Sequence, residues 1–191
     1  MNSRTADRYS VLIVSSSEQF NILAEKTLPE NTFSVIEKRK SASAARRELL
    51  VRDYDIILIN APLSDGLGTD FVMDAVEKHS SGIVLAVPSE IHSDVMNHLI
   101  GYGVITIPKP LKKGDLDRSV RLLIALNKRV KKLRKQVRSL EDKMEELKVV
   151  SRAKIVLVER GMSEKEAHEY ILREAMNTGL TKRQVAEDIL D

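Results

Sequence analysis

Over the first 110 residues, apolar side chains come in short runs, separated by stretches in which they return every three or four positions. The runs at 9–14, 32–36, 56–59, 82–87 and 104–107 have the length and β-branched content of strands. The stretches 18–28, 42–51, 69–78 and 91–100 have helical periodicity, with Ser17 and Ser41 placed as N-caps. Residues 62–68 form a turn-rich loop, and Leu111 opens a further helix after Pro110. This alternation predicts a mostly parallel five-stranded sheet covered on both faces. The third and fourth runs are apolar throughout, as suits central strands. Such sheets carry functional groups at the carboxyl ends of their strands. Here those ends are Ser15, Ser16 and Ser17, Asn60 to Pro62, Val87 to Ser89, and the pair Lys109 and Pro110. Residues 1–8 are expected to be a disordered tail.

A different period follows. Leu123, Leu126, Val130, Leu133, Val137, Leu140, Met144 and Leu147 recur at alternating spacings of three and four, a heptad pattern. Leu123, Val130, Val137 and Met144 fall at a, and Leu126, Leu133, Leu140 and Leu147 at d. No Pro or Gly lies between Asp115 and Arg160, so one helix is expected to run through the segment. β-Branched residues at a with Leu at d favour a parallel dimer. The flanking g–e′ pairs of such a dimer are Arg129–Arg134, Gln136–Glu141 and Lys143–Lys148, and two of the three are like-charged. The seam is read as a homodimer contact through residues 126–147. The alternative is a helix that packs its seam on its own domains.

The last 45 residues read as three short helices. Residues 151–160 end at Gly161, and Ser163 with Glu166 forms a capping box for a helix to about Asn177. Gly179 closes that helix, and Thr181 caps Lys182–Leu190. Ile155, Leu157, Val158, Ala167, Ile171, Leu172, Ala175, Met176, Leu180, Val185, Ala186 and Ile189 are the expected core. The domains are therefore placed at 9–122, 123–149 (coiled-coil linker) and 150–191.

Charge changes this picture more than composition does. The net charge is +3, but residues 111–138 carry 11 basic and 2 acidic side chains, while residues 1–110 and 139–191 are each net −3. A basic block of this kind reads as a surface for a polyanion. There is no Cys, which excludes disulfides and thiolate chemistry. His79, His92, His98 and His168 show no ligand spacing, so neither a metal nor another cofactor is expected. Gly-rich phosphate loops and the Gly-x-Ser-x-Gly signature are absent, and no enzyme is expected. The apolar run at 11–14 is too short for a leader or a membrane span, which implies a cytoplasmic protein.

Residues 9–125 resemble a response-regulator receiver domain, on the strength of Pro62-Leu63-Ser64-Asp65-Gly66 after the third strand and Lys109-Pro110 after the fifth. That resemblance implies a flavodoxin-like α/β fold. A phospho-accepting receiver needs a carboxylate at the end of the third strand and an acidic pair after the first to hold Mg²⁺. Here Ser15 and Ser16 stand at the acidic pair, and Leu58, Ile59 or Asn60 at the acceptor. Val87, with Ser89 nearby, takes the hydroxyl position, and Lys109 matches the receiver lysine. The domain is thus read as a pseudo-receiver, with no phosphoacceptor and Asn60 nearest the expected place. Asp65 is read as a turn residue. Lys109 is expected to bond to Asn60 or to strand-end carbonyls.

The C-terminal segment resembles the ANTAR domain, the RNA-binding output module of bacterial antitermination regulators. The matching residues are Ala153-Lys154, the apolar stretch 155–158, the turn Glu159-Arg160-Gly161-Met162, Ser163 with Glu166 and Ala167, Ala175-Met176, Val185-Ala186 and Ile189. Ile155 departs from the family's Gly, which raises the prospect of crowding, and His168 departs from its aromatic residue. The resemblance implies an all-α three-helix bundle that, when dimerised, holds paired mRNA hairpins and prevents an overlapping terminator from forming. Lys154, Arg152, Arg173, Lys182 and Arg183 are the candidate RNA contacts, with Lys128, Arg129, Lys131 and Arg134 extending the footprint. The competing readings are a protein-interaction adaptor, with a regulatory protein held at the pseudo-receiver, and a DNA-binding regulator.

Overall fold

The computed structural model describes residues 8–28 and 31–191. The expected N-terminal tail lies outside the described residues except for Arg8. The chain divides into two compact units, Met1–Arg129 and Val130–Asp191.

The first unit is built on five parallel strands: β1 (Tyr9–Val14), β2 (Phe33–Arg39), β3 (Ile56–Asn60), β4 (Gly82–Pro88) and β5 (Ile105–Lys109). Their order across the sheet is β2-β1-β3-β4-β5. The period-two alternation of each strand divides its side chains between two cores. Leu12, Val14, Ile57, Ile59, Leu85 and Val87 face one side. There they pack with α2 (Ala42–Leu49), α3 (Thr69–Lys78) and α4 (Ser89–Leu99), through residues such as Ala45, Phe71 and Leu99. Val11, Ile13, Ile56, Leu58, Val84 and Ala86 face the other side. They meet Phe20 and Ala24 of α1 (Glu18–Thr27), and Leu116, Val120 and Leu123 of α5 (Lys113–Glu159). Helices on both faces satisfy the apolar demands of the central strands, which is why β3 and β4 read as unbroken apolar runs.

Several boundaries differ from the sequence reading. Strand β2 continues through Glu37, Lys38 and Arg39, because it is an edge strand and tolerates charge there. Helix α2 stops at Leu49, and Leu50 and Val51 are each 86% exposed. Helix α4 starts directly after Pro88, two residues earlier than expected. Strand β5 reaches Lys109, two residues later than expected. The caps at Ser17 and Ser41 form, with the side chains accepting from the amides of Phe20 and Ala44.

Helix α5 is a single helix of 47 residues. Leu123, placed in the heptad seam by the sequence, is instead buried in the first unit, and Asn127 donates to the Asp55 carbonyl at 2.9 Å.

The second unit combines the later part of α5 with α6 (Glu164–Thr178) and α7 (Lys182–Leu190). Its core is Val149, Ala153 and Leu157 of α5, Ala167 and Ile171 of α6, and Val185 and Ala186 of α7. Capping boxes close both short helices, Ser163 with Glu166 and Thr181 with Gln184. Gly161 and Gly179 turn the chain between helices at positive φ, 101° and 71°. Four expected core residues are exposed: Ile155, Val158, Met176 and Leu180. On α5 the reason is helical geometry. Positions 149, 153 and 157 share one face, and 155 and 158 turn to the opposite one. Ile155 therefore crowds no helix contact, and His168 lies on the surface.

Candidate functional site

At the carboxyl edge of the sheet, Ser15 and Asn60 are both buried, and the Asn60 amide donates to Ser15 Oγ at 3.0 Å. Ser15 Oγ in turn accepts from the Ser17 amide at 3.1 Å. Lys109 donates its ammonium to the Ala61 carbonyl, one residue beyond β3. Burial holds that ammonium below its ordinary pKa. Ser89 donates to the Lys109 carbonyl. The bonds Ala61–Pro62 and Lys109–Pro110 are cis.

Asp65 has a role the sequence reading missed. Its carboxylate accepts from the amides of Ala42 at 2.8 Å and Ser43 at 2.9 Å, and from the Ser43 hydroxyl at 2.8 Å. With Ser41 accepting from Ala44, the first three amides of α2 all have side-chain acceptors. The amides of Ser43 and Ala42 lower the Asp65 pKa to about 2. No local signal could show this, because 22 and 23 residues separate the partners.

The rim offers hydroxyls, one carboxamide and one ammonium, and its carboxylate faces α2. That donor set does not fit Mg²⁺, which takes anionic oxygens. Among the described residues, no group of three or more His, Asp or Glu side chains is placed to hold a metal ion.

In the second unit the five candidate RNA contacts lie on three helices. Lys154 is half-buried on α5 and pairs with Glu164 at the start of α6, at 3.0 Å. Arg152 is exposed one turn before the end of the core face. Arg173 stacks over the Tyr170 ring at 5.8 Å. Lys182 and Arg183 are exposed in the first turn of α7, and Arg183 pairs with Glu187 at 2.7 Å. Residues 128–145 of α5 are exposed without a break, and within them 128–138 hold seven basic and no acidic side chains. Val130, Leu133, Val137, Leu140, Met144 and Leu147 form one apolar stripe there, 43–67% exposed. The stripe lies on the face of α5 opposite Val149, Ala153 and Leu157.

Residues 138–190 match the ANTAR domain. Together with the five-stranded unit, this gives the chain a receiver-fold domain followed by a region that matches the ANTAR domain. Among characterised proteins it is similar to the transcriptional regulatory protein PdtaR of Mycobacterium tuberculosis, strains CDC 1551 / Oshkosh and H37Rv. The identity is 23% over 183 residues, covering 95% of this chain and 89% of the relative. The fold is shared with the signal receiver domain of an HD domain-containing protein from Pseudomonas fluorescens Pf-5 (TM-score 0.58, 18% identity, 69% of this chain and 98% of the other). It is shared equally with the receiver domain of a LuxO repressor protein from Vibrio parahaemolyticus (TM-score 0.59, 20% identity, 66% and 97%). An adenylate cyclase structure from Rhodopirellula baltica has the same fold at 13% identity (TM-score 0.61, 69% and 98%). At these identities the likeness is one of fold alone. Among the described residues no helix is long and apolar enough to cross a membrane.

Proposed function

We propose that this chain is a transcription antitermination regulator that binds tandem stem-loops in nascent mRNA as a homodimer, working in the cytoplasm without catalytic chemistry. The observation that carries the reading is the ANTAR match over residues 138–190. Its motif lysine, Lys154, sits at the surface within reach of solvent. Residues 139–191 are net −3, so phosphate attraction has to come from local clusters and from the basic stretch 128–138. Basic side chains hold the phosphates, and polar side chains read unstacked loop bases. The apolar stripe of α5 supplies the homodimer contact. The receiver-fold unit acts without Asp phosphorylation, a reading supported by the neutral, hydrogen-bonded pair of Ser15 and Asn60 where that chemistry needs acids.

The test is a binding panel of single and tandem RNA hairpins beside matched duplex DNA, at about physiological salt. Selective retention of tandem hairpins supports the reading. Equal binding of DNA favours a DNA-binding regulator, and no retention of either favours a protein-interaction adaptor.

A further inference from the structure

Seen as a one-dimensional pattern, the exposed stripe of α5 is a palindrome. Val130, Leu133, Val137, Leu140, Met144 and Leu147 are spaced 3, 4, 3, 4 and 3, and the pattern reads the same in either direction from its centre between Arg138 and Ser139. Outward of the stripe the apolar symmetry ends, since Leu126 stands four residues before it and the polar Ser151 four residues after it. A palindromic seam meets a second copy of itself equally well head-to-tail, so the apolar positions allow both orientations.

Charge separates them. In a parallel pair the residues flanking the seam bring Arg129 to Arg134 and Lys143 to Lys148 of the other copy, both repulsive. In an antiparallel pair e faces e and g faces g. Centring the seam on itself then sets Val130 against Leu147, Leu133 against Met144, and Val137 against Leu140. The flanking contacts become Arg134 with Glu141 and Gln136 with Lys143, each made twice by symmetry, and no like-charged flank remains. The wider field agrees, since the seven basic side chains of 128–138 come to lie along 139–148, which carries four acidic and two basic ones.

We infer that two copies of this chain pair antiparallel through α5, in the register that sets Val130 against Leu147, with Arg134–Glu141 contacts fixing the orientation. This rests on the homodimer reading above and corrects its orientation, because β-branched residues at a would by themselves favour the parallel form.

The chain has no Cys, so single cysteines report without background. Val130→Cys and Leu147→Cys are both at exposed positions and are prepared separately, one of them tagged, then mixed and treated with a short bismaleimide. The antiparallel register predicts cross-linking between the two variants and none within either alone, where like residues lie about 25 Å apart along the helix. Cross-linking of Val130→Cys to itself overturns the orientation and leaves the homodimer standing. A sedimentation mass of a monomer overturns the homodimer itself. A dimer that cross-links in neither test places the contact on another surface and overturns the inference. The charge term is read separately. Glu141→Arg is expected to weaken dimerisation about tenfold or more, and adding Arg134→Glu to restore it. A parallel pair, in which Glu141 faces Gln136, would show neither the loss nor the rescue.

Discussion

Asn60 donates its side-chain amide to Ser15 Oγ at 3.0 Å, across the neighbouring strands β3 and β1, with both residues buried. The contact joins the carboxyl ends of β3 and β1, and it joins them with neutral groups. Acetyl phosphate is therefore expected to leave no phosphoryl group on the chain. Asn60→Asp alone is expected to stay unmodified as well, since Ser15 and Ser16 still offer no anionic ligands for Mg²⁺. Intact-mass spectrometry after incubation with acetyl phosphate and Mg²⁺ checks both. A mass gain in the wild type would sink the pseudo-receiver reading.

Lys154 is tied to Glu164, so a phosphate at this site must compete with a carboxylate. Removing the ammonium with Lys154→Met is expected to weaken hairpin binding across sequences and to lower the slope of log K against log salt by about 1. Glu164→Gln is expected to strengthen binding. Fluorescence titrations at several salt concentrations decide. Unchanged salt slopes in both variants would remove Lys154 from the interface.

The two apolar faces of α5 predict opposite sensitivities. Ile171, fully buried against the α5 core face, is expected to cost about 2–5 kcal/mol when cut to Ala. Ile155, 57% exposed, is expected to cost under about 0.5 kcal/mol. Urea unfolding followed by helicity measures both. A large loss at Ile155 would mean that its face is covered in the folded protein, by the chain itself or by a second copy.

The Asp65 cap predicts a pH dependence. Its pKa is lowered from 3.8 to about 2 by the amides of Ser43 and Ala42. A depressed carboxyl contributes stability that is complete above the unfolded value and fades as pH falls through the folded one. The contribution is thus expected to disappear between about pH 4 and pH 2. Asp65→Ala is expected to lower Tm at neutral pH by about 3 °C and to flatten that part of the acid limb. Thermal scans of both proteins over this range test it. Parallel curves would show that the carboxylate does not act through ionisation.

The sequence predicts most strongly where one physical demand dominates. Strands β3 and β4 were readable because burial on both faces requires an unbroken apolar run. The caps at Ser17, Ser41, Ser163 and Thr181 were readable because capping is local. Glu37 to Arg39 were not, since an edge strand admits charged residues that resemble a loop. Leu50 and Val51 extended the helical pattern of α2 although nothing covers them. Asp65 was read as a turn residue because its partners are distant in sequence. Ile155, Val158 and Met176 looked like core because periodicity reports that a face is apolar and cannot say whether anything packs on it. The candidate contacts Lys154, Arg173 and Arg183 were found by residue type and motif, but their pairing with Glu164, Tyr170 and Glu187 depends on rotamers and helix packing that no spacing encodes.

The hydrogen bond between Ser15 and Asn60 also bears on what it would take to install phosphoryl chemistry here. Building an acidic, metal-holding rim from this one would take separate changes at Ser15, Ser16 and Asn60. A carboxylate at Asn60 has only the Lys109 ammonium at the rim and no anionic metal ligands beside it, and acids at Ser15 or Ser16 without an acceptor do nothing. Each first step is insufficient on its own, and Asp65 cannot stand in without uncapping α2. A phosphoryl-accepting rim would thus need changes at all three positions together.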